Sequence, residues 1–157
     1  MCDKEICNGL EMEPGTDQSV RLWFTLMRTH YAITKLARRD IESRGITTTE
    51  FSVLENLYRQ GSLTLGDVGN CALLTSGSTT YVIDKLEQRG LIARRASDED
   101  RRVIHTSLTD AGRELITSIL PEHAKAIHAA MAGLSEEDRE ALRGLLTTLA
   151  NHAETQI

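Results

Sequence analysis

Residues 62–109 read SLTLGDVGNCALLTSGSTTYVIDKLEQRGLIARRASDEDRRVIHTSLT. Thr64 stands just ahead of a short run in which Leu65, Val68 and Ala72 recur at helical spacing, the place where a threonine caps a helix. A brief turn, Leu73-Leu74-Thr75, leads into a second helix expected from Ser76 to Arg89. Its inward face is Thr79, Val82, Ile83 and Leu86, and Gly90 ends it. Two short apolar-rich strands follow, Leu91–Arg95 and Val103–Leu108, joined by the polar loop Ala96–Arg102. Helix, tight turn, helix and hairpin together make a winged helix-turn-helix.

The flanking sequence is helical. Val20, Trp23, Phe24, Met27, Tyr31, Leu36 and Ile41 recur at roughly helical intervals from Asp17 to about Ser43, with Arg44-Gly45 closing that helix. Thr47-x-x-Glu50 is a capping box. It opens a helix with Phe51, Leu54, Leu57 and Tyr58 on one face, stopped by Gly61. Thr109 caps a long helix carrying Leu115, Ile116, Ile119, Leu120 and Ile127, in which Pro121 lacks an amide hydrogen and is expected to kink the axis. Ser135-x-x-Asp138 starts the last helix, with a stripe of Leu142, Leu145, Leu146 and Leu149. The fold class expected is mainly α with a small β-hairpin wing. Residues 1–16 are expected as a flexible arm, 46–108 as a winged helix-turn-helix domain, and 17–45 with 109–157 as a helical dimerisation region.

Composition agrees with a globular chain. Of its 157 residues, 40% are hydrophobic, 26% charged and only 4% aromatic, which suits a helical core of Leu, Ile, Val and Ala. No apolar run approaches the roughly eighteen residues needed to cross a bilayer, and the polar start does not read as a signal peptide. Three cysteines, an odd number without framework spacing, are expected as free thiols in a reducing cytoplasm. The net charge of −5 argues mildly against nucleic acid when averaged over the chain. The charge is uneven, however. Asp3, Glu5, Glu11 and Glu13 load the arm and Glu136, Glu137, Asp138 and Glu140 the last helix, whereas Lys85, Arg89, Arg94, Arg95, Arg101 and Arg102 fall in the middle. Local charge sets the potential that a phosphate meets.

The helix after the turn begins at Thr75 and carries Ser76, Gly77, Ser78, Thr80 and Tyr81 at or near its N-terminal end. Small polar groups there suit entry into a major groove, and the helix end aims backbone amides at phosphates. Lys85, farther along the same side, is placed to reach a phosphate. The loop containing Asp100, Arg101 and Arg102 is the wing, where an arginine can enter a narrow minor groove with Asp100 orienting it. Arg94 and Arg95 read equally as phosphate contacts or as solvated strand-edge charges.

From Thr48 through Leu115 the sequence resembles the MarR family of bacterial regulators. Leu74–Ile92 is similar to the family's recognition helix and its exit. Asp100-Arg101-Arg102, followed by Leu108-Thr-Asp-Ala-Gly112, is similar to the wing and the entry to the next helix. The resemblance implies a homodimer built from the terminal helices that binds double-stranded DNA at a pseudo-palindrome. It further implies a repressor released by small aromatic ligands or oxidants, and it favours Arg102 for the groove. Leu73–Tyr81 resembles a branch that includes quinone- and thiol-stress repressors.

Two rival effector sites are weighed, with inert exposed thiols the favoured reading of the arm cysteines. Trp23, Arg28, His30 and Tyr31 are candidates to line a phenolic- or quinone-binding pocket between the dimer helices and the winged domain; ordinary helix packing is the alternative. Cys2 and Cys7 are candidate redox residues, although nothing nearby clearly depresses a thiol pKa, and Cys71 reads as a half-buried structural thiol. No cofactor is expected. His123 and His128, five apart, do not share a helix face as a metal pair would. Phosphate-binding glycine loops, His-Glu-x-x-His and Gly-x-Ser-x-Gly are absent, so no enzyme is expected. The competing function is a winged-helix protein-interaction module without DNA affinity.

Overall fold

The computed structural model describes residues 15–72, 74–97, 100–101 and 103–156. The arm with Cys2 and Cys7, and Arg102 in the wing, lie outside the described residues. In chain order the elements are α1 (Thr16–Glu42), α2 (Thr48–Gln60), β1 (Leu63–Thr64), α3 (Leu65–Cys71), α4 (Ser76–Gln88), β2 (Ile92–Ala96), β3 (Ile104–Leu108), α5 (Asp110–Ala130) and α6 (Glu136–Glu154).

Local chemistry sets most of the helix starts. Thr47, Thr64, Thr75, Thr109 and Ser135 each sit in extended backbone and accept from the amide three residues on. This satisfies one of the donors that a helix start leaves open. At the end of α4 the chain turns through Gly90, whose φ of +69° suits glycine, and the Leu91 amide returns to the Leu86 carbonyl at 3.0 Å. α5 runs through Pro121, which leaves the Thr117 carbonyl without its usual helical donor.

The sheet has three strands in the order β1-β3-β2, all neighbours antiparallel, with Leu63 opposite Thr106 and Ile92 opposite Leu108. The expected hairpin is present, and β1 adds a third strand that two residues of sequence could not announce, having no periodicity to read. α2, α4, the sheet and the first half of α5 enclose one core. Phe51, Val53, Leu54, Leu57, Val68, Ile83, Leu86, Ile92, Ile116 and Ile119 are all buried. Burial of each such side chain contributes about 1.5–3 kcal/mol, which fixes the helix-turn-helix on its support.

The terminal helices behave differently. Of the apolar residues expected to pack along α1, only Ile41 is buried; Trp23, Met27, Tyr31 and Leu36 are exposed. α6 buries no residue at all, and Leu145 is 69% exposed. Cys71 is also exposed, correcting its expected half-burial: it ends the short α3, where its sulfur accepts from Gln60 Nε2 at 3.4 Å.

Candidate nucleic-acid interface

α4 is anchored by its inner face. Thr79 is buried, its hydroxyl donates to the Thr75 carbonyl at 2.9 Å, and α3 approaches so closely that a Cβ on Gly69 would lie 2.8 Å from Thr79 Oγ1. Thr75 also donates to Ser78 Oγ at 2.9 Å. With the inner face held, the outer face is free. Ser76, Gly77, Ser78, Thr80 and Tyr81 are all exposed, Tyr81 by 69%. The sequence therefore placed the α4 candidates on one accessible surface.

Lys85 lies on the same side and is exposed, and its ammonium is paired. Nζ is 3.2 Å from Glu50 Oε1 of α2, and Arg89 Nη1 reaches the same oxygen at 3.0 Å. Burial pushes the Glu50 carboxyl up, but the Thr47 amide and the Lys85 ammonium outweigh it and hold it below the ordinary range. Glu50 was legible as a cap and not as an ion-pair partner.

In the wing, Ser97 N donates to the Val103 carbonyl at 2.8 Å and Val103 N to the Asp100 carbonyl at 2.9 Å, closing the loop. Asp100 and Arg101 are both exposed. Arg94 is not the solvated strand-edge charge weighed for it. It turns back onto α4, with Nη1 2.8 Å from Asp84 Oδ1 and Nε donating to Glu87 Oε2 at 2.9 Å. The guanidinium holds Glu87 below the usual carboxylate range. Arg95, the next residue, is exposed.

The effector candidates are placed on α1. Trp23, Arg28, His30 and Tyr31 are all exposed, and His30 Nε2 lies 3.3 Å from Thr34 Oγ1. Trp23 and His30, two turns apart, share a face, whereas Arg28 and His30 point to opposite sides of the helix. An open groove runs beside them along Tyr31, Thr34, Lys35, Arg38, Arg39 and Glu42. A polar junction not visible in the sequence joins this helix to the rest. His123 Nδ1 of α5 is 3.0 Å from Asp40 Oδ2 of α1, Arg44 Nη2 is 2.9 Å from Asp40 Oδ1, and the His123 ring packs on Phe51 of α2 at 4.7 Å. Arg44 chiefly holds the Asp40 carboxyl down, against burial and with help from His123. Among the described residues no group of His, Cys, Asp and Glu is arranged to hold a metal, and no helix is long and apolar enough to cross a membrane.

Residues 46–104 match the sequence profile of the MarR family, and the chain is 40% identical over 138 residues to the HTH-type transcriptional regulator MhqR of Bacillus subtilis (strain 168), covering 88% of this chain and 95% of that one. The chain belongs to the MarR family. The HTH-type transcriptional repressor MdtR of the same organism is 32% identical over 116 residues, 74% of this chain and 75% of the relative. Among solved structures, BpsR of Bordetella bronchiseptica, whose DNA binding is regulated by 6-hydroxynicotinic acid, superposes with a TM-score of 0.74 at 26% identity. That match covers 83% of this chain and 98% of BpsR. This MarR-family protein is a DNA-binding transcriptional regulator and not an enzyme. Among the described residues, its six helices and three-stranded sheet are the winged-helix architecture of the family.

Proposed function

We propose that this MarR regulator acts in the cytoplasm as a homodimeric repressor, binding a pseudo-palindromic operator and leaving it when a small aromatic ligand or an oxidant arrives. The observation that carries the DNA reading is the exposed polar face of α4, where Ser76, Ser78, Thr80 and Tyr81 surround a helix start capped by Thr75. Base edges are read by such groups in the major groove, with the wing residues Asp100, Arg101 and Arg102 tracking the neighbouring minor groove. Dimerisation is supported by the terminal helices, whose exposed apolar residues on α1 and α6 find no cover among the described residues. In this reading residues 46–108 are the DNA-reading unit, and 17–45 with 109–157 are the dimer region.

Two winged domains on one palindrome hold their recognition helices about 34–36 Å apart. A ligand seated near Trp23, Arg28, His30 and Tyr31 contacts the helices that set this spacing. It lowers operator affinity as far as it prefers the other spacing. BpsR, regulated by a hydroxylated aromatic acid, supports that chemistry. Oxidation of Cys2 or Cys7 is the rival trigger.

The test is a gel shift on DNA from upstream of the protein's own coding sequence, repeated across salt concentrations. A steep fall of affinity with salt is expected, since phosphate contacts release counterions. No duplex affinity at any salt concentration would establish the interaction-module reading instead. A variant lacking all three cysteines then separates the triggers. Release by a phenolic acid that persists in it favours the α1 seat; release by peroxide or quinone that only the wild type and Cys71→Ser show favours the arm.

A further inference from the structure

Among the described residues Glu50 is the only Asp or Glu that is buried, 2% exposed. One oxygen is accounted for: Oε2 accepts from the Thr47 amide at 2.7 Å and completes the capping box. A cap needs no more than that, and a glutamine serves equally well. The other oxygen meets two cations, Lys85 Nζ of α4 at 3.2 Å and Nη1 of its C-cap Arg89 at 3.0 Å. These cations stand four residues apart, one turn along the side of α4 turned toward α2. Lys85 also borders an open groove with Thr47, Thr49, Ser78 and Tyr81. It stands where the outer face of α4 meets the start of α2.

Burying a carboxylate costs more than a surface cap would, and a buried ion pair contributes less to stability than to fixing one arrangement over others. The arrangement fixed here is the roll and tilt of α4 against α2. The same contact pairs both cations with a carboxylate, although their side chains stay 45% and 36% exposed.

We propose that Glu50 is a positioning residue for sequence reading: through Lys85 and Arg89 it sets the orientation of the recognition helix and restrains two cations that would otherwise bind any duplex. The inference rests on the DNA-reading function proposed above. Without the carboxylate charge, α4 rolls and loses base discrimination, while Lys85 and Arg89 become available to phosphates. Specific and non-specific binding then move in different directions. A residue that merely supported the fold would weaken both together.

The experiment uses the full-length protein and two duplexes: one selected from a random pool by the wild type, and one of equal length with the same bases shuffled. Glu50→Gln keeps the acceptor for Thr47 and removes the charge. The ratio of affinities for the two duplexes is expected to fall about tenfold or more. The slope of log affinity against log salt on the shuffled duplex should steepen by about one to two, near 0.9 for each cation freed. An unchanged ratio and slope, or a parallel fall of both affinities, overturns the proposal. Should that variant lose its fold by circular dichroism, the triple variant E50Q/K85Q/R89M leaves no buried charge behind. It is expected to show the same loss of ratio with no steepening, and a wild-type ratio in it overturns the proposal. A wild type that retains no duplex from the pool ends the DNA reading itself, and this inference with it.

Discussion

Arg94 of the wing is paired with Asp84 of α4 at 2.8 Å, and it donates to Glu87 one turn farther along that helix. The strand that leads into the wing is thereby fastened to the helix proposed to read DNA. Both carboxylates are more than a third exposed, so solvent screening limits what the pairs contribute to stability. Arg94→Ala is expected to lower the unfolding free energy by no more than about 1 kcal/mol. Operator affinity is expected to fall further, about tenfold, because the wing loses its fixed bearing on α4 and two unpaired carboxylates are left beside the DNA face. Urea unfolding and a gel shift on one preparation check both halves, and undiminished affinity would detach the wing from α4.

Gly112 makes a sharper case. A Cβ there would stand 1.9 Å from the Leu91 carbonyl oxygen, backbone that the Thr109 amide also uses at 3.1 Å. This is the joint where α5 leaves the winged domain, pinned as well by Thr109 Oγ1 donating to the Gly90 carbonyl at 2.7 Å. Glycine to alanine inside a free helix stabilises by up to about 1 kcal/mol. Here the clash is with backbone and outweighs it, so Gly112→Ala is expected to destabilise by about 3 kcal/mol. Gly144 of α6 has nothing within 4 Å of its Cβ position and lies opposite the leucine stripe. Gly144→Ala should be neutral or stabilising. Thermal melts of the two variants should differ in sign, and a tolerated Gly112→Ala would count against the joint.

The local part of this design was legible in the sequence. Thr47 with Glu50, Thr64 with Asp67 and Ser135 with Asp138 are caps, and a cap is written within four residues. The inner face of α4 was legible because Thr79, Val82, Ile83 and Leu86 repeat at helical spacing. Arg94 with Asp84 and Glu87, Glu50 with Arg89 and Asp40 with His123 were not. Each pair meets only once the chain has folded, the last across 83 residues, and one sequence carries no signal for such a meeting. Cys71 was read wrongly for a related reason: proximity to an apolar stripe in a seven-residue helix does not say which way the side chain turns.

Acid should weaken the fold through three paired carboxylates. Glu50, Glu87 and Asp40 all have folded-state pKa values below their ordinary values of 4.5, 4.5 and 3.8. A carboxyl depressed on folding contributes stability that is fully present above its unfolded value and lost as pH falls through its folded one. Stability is therefore expected to hold down to about pH 4.5 and then decline as the pH drops further. Glu50→Gln cannot take up that proton, so its decline should be shallower than that of the wild type. Urea midpoints at pH 7, 4.5 and 3 would show it, and parallel curves for the two proteins would remove Glu50 from the acid response.

The last expectation concerns Leu145, the most exposed leucine of the α6 stripe at 69%, flanked by Leu142, Leu146 and Leu149 at 40%, 39% and 44%. Four leucines on one face of a helix that buries nothing need a cover, and within the chain none is present among the described residues. If a second copy supplies it through a two-fold interface, each leucine acts twice in the dimer. Leu145→Glu then sets two carboxylates into one apolar seam. The winged domain should be untouched, because its core lies elsewhere. Light scattering at micromolar concentration should change from two chains to one. Operator affinity should fall by about two orders of magnitude or more, because the second half-site is no longer bound as a linked event, while binding to a single half-site stays near the wild-type value. A variant that remains dimeric and holds the full operator as tightly as the wild type would place the seam on α1 instead, around Leu22, Trp23 and Met27.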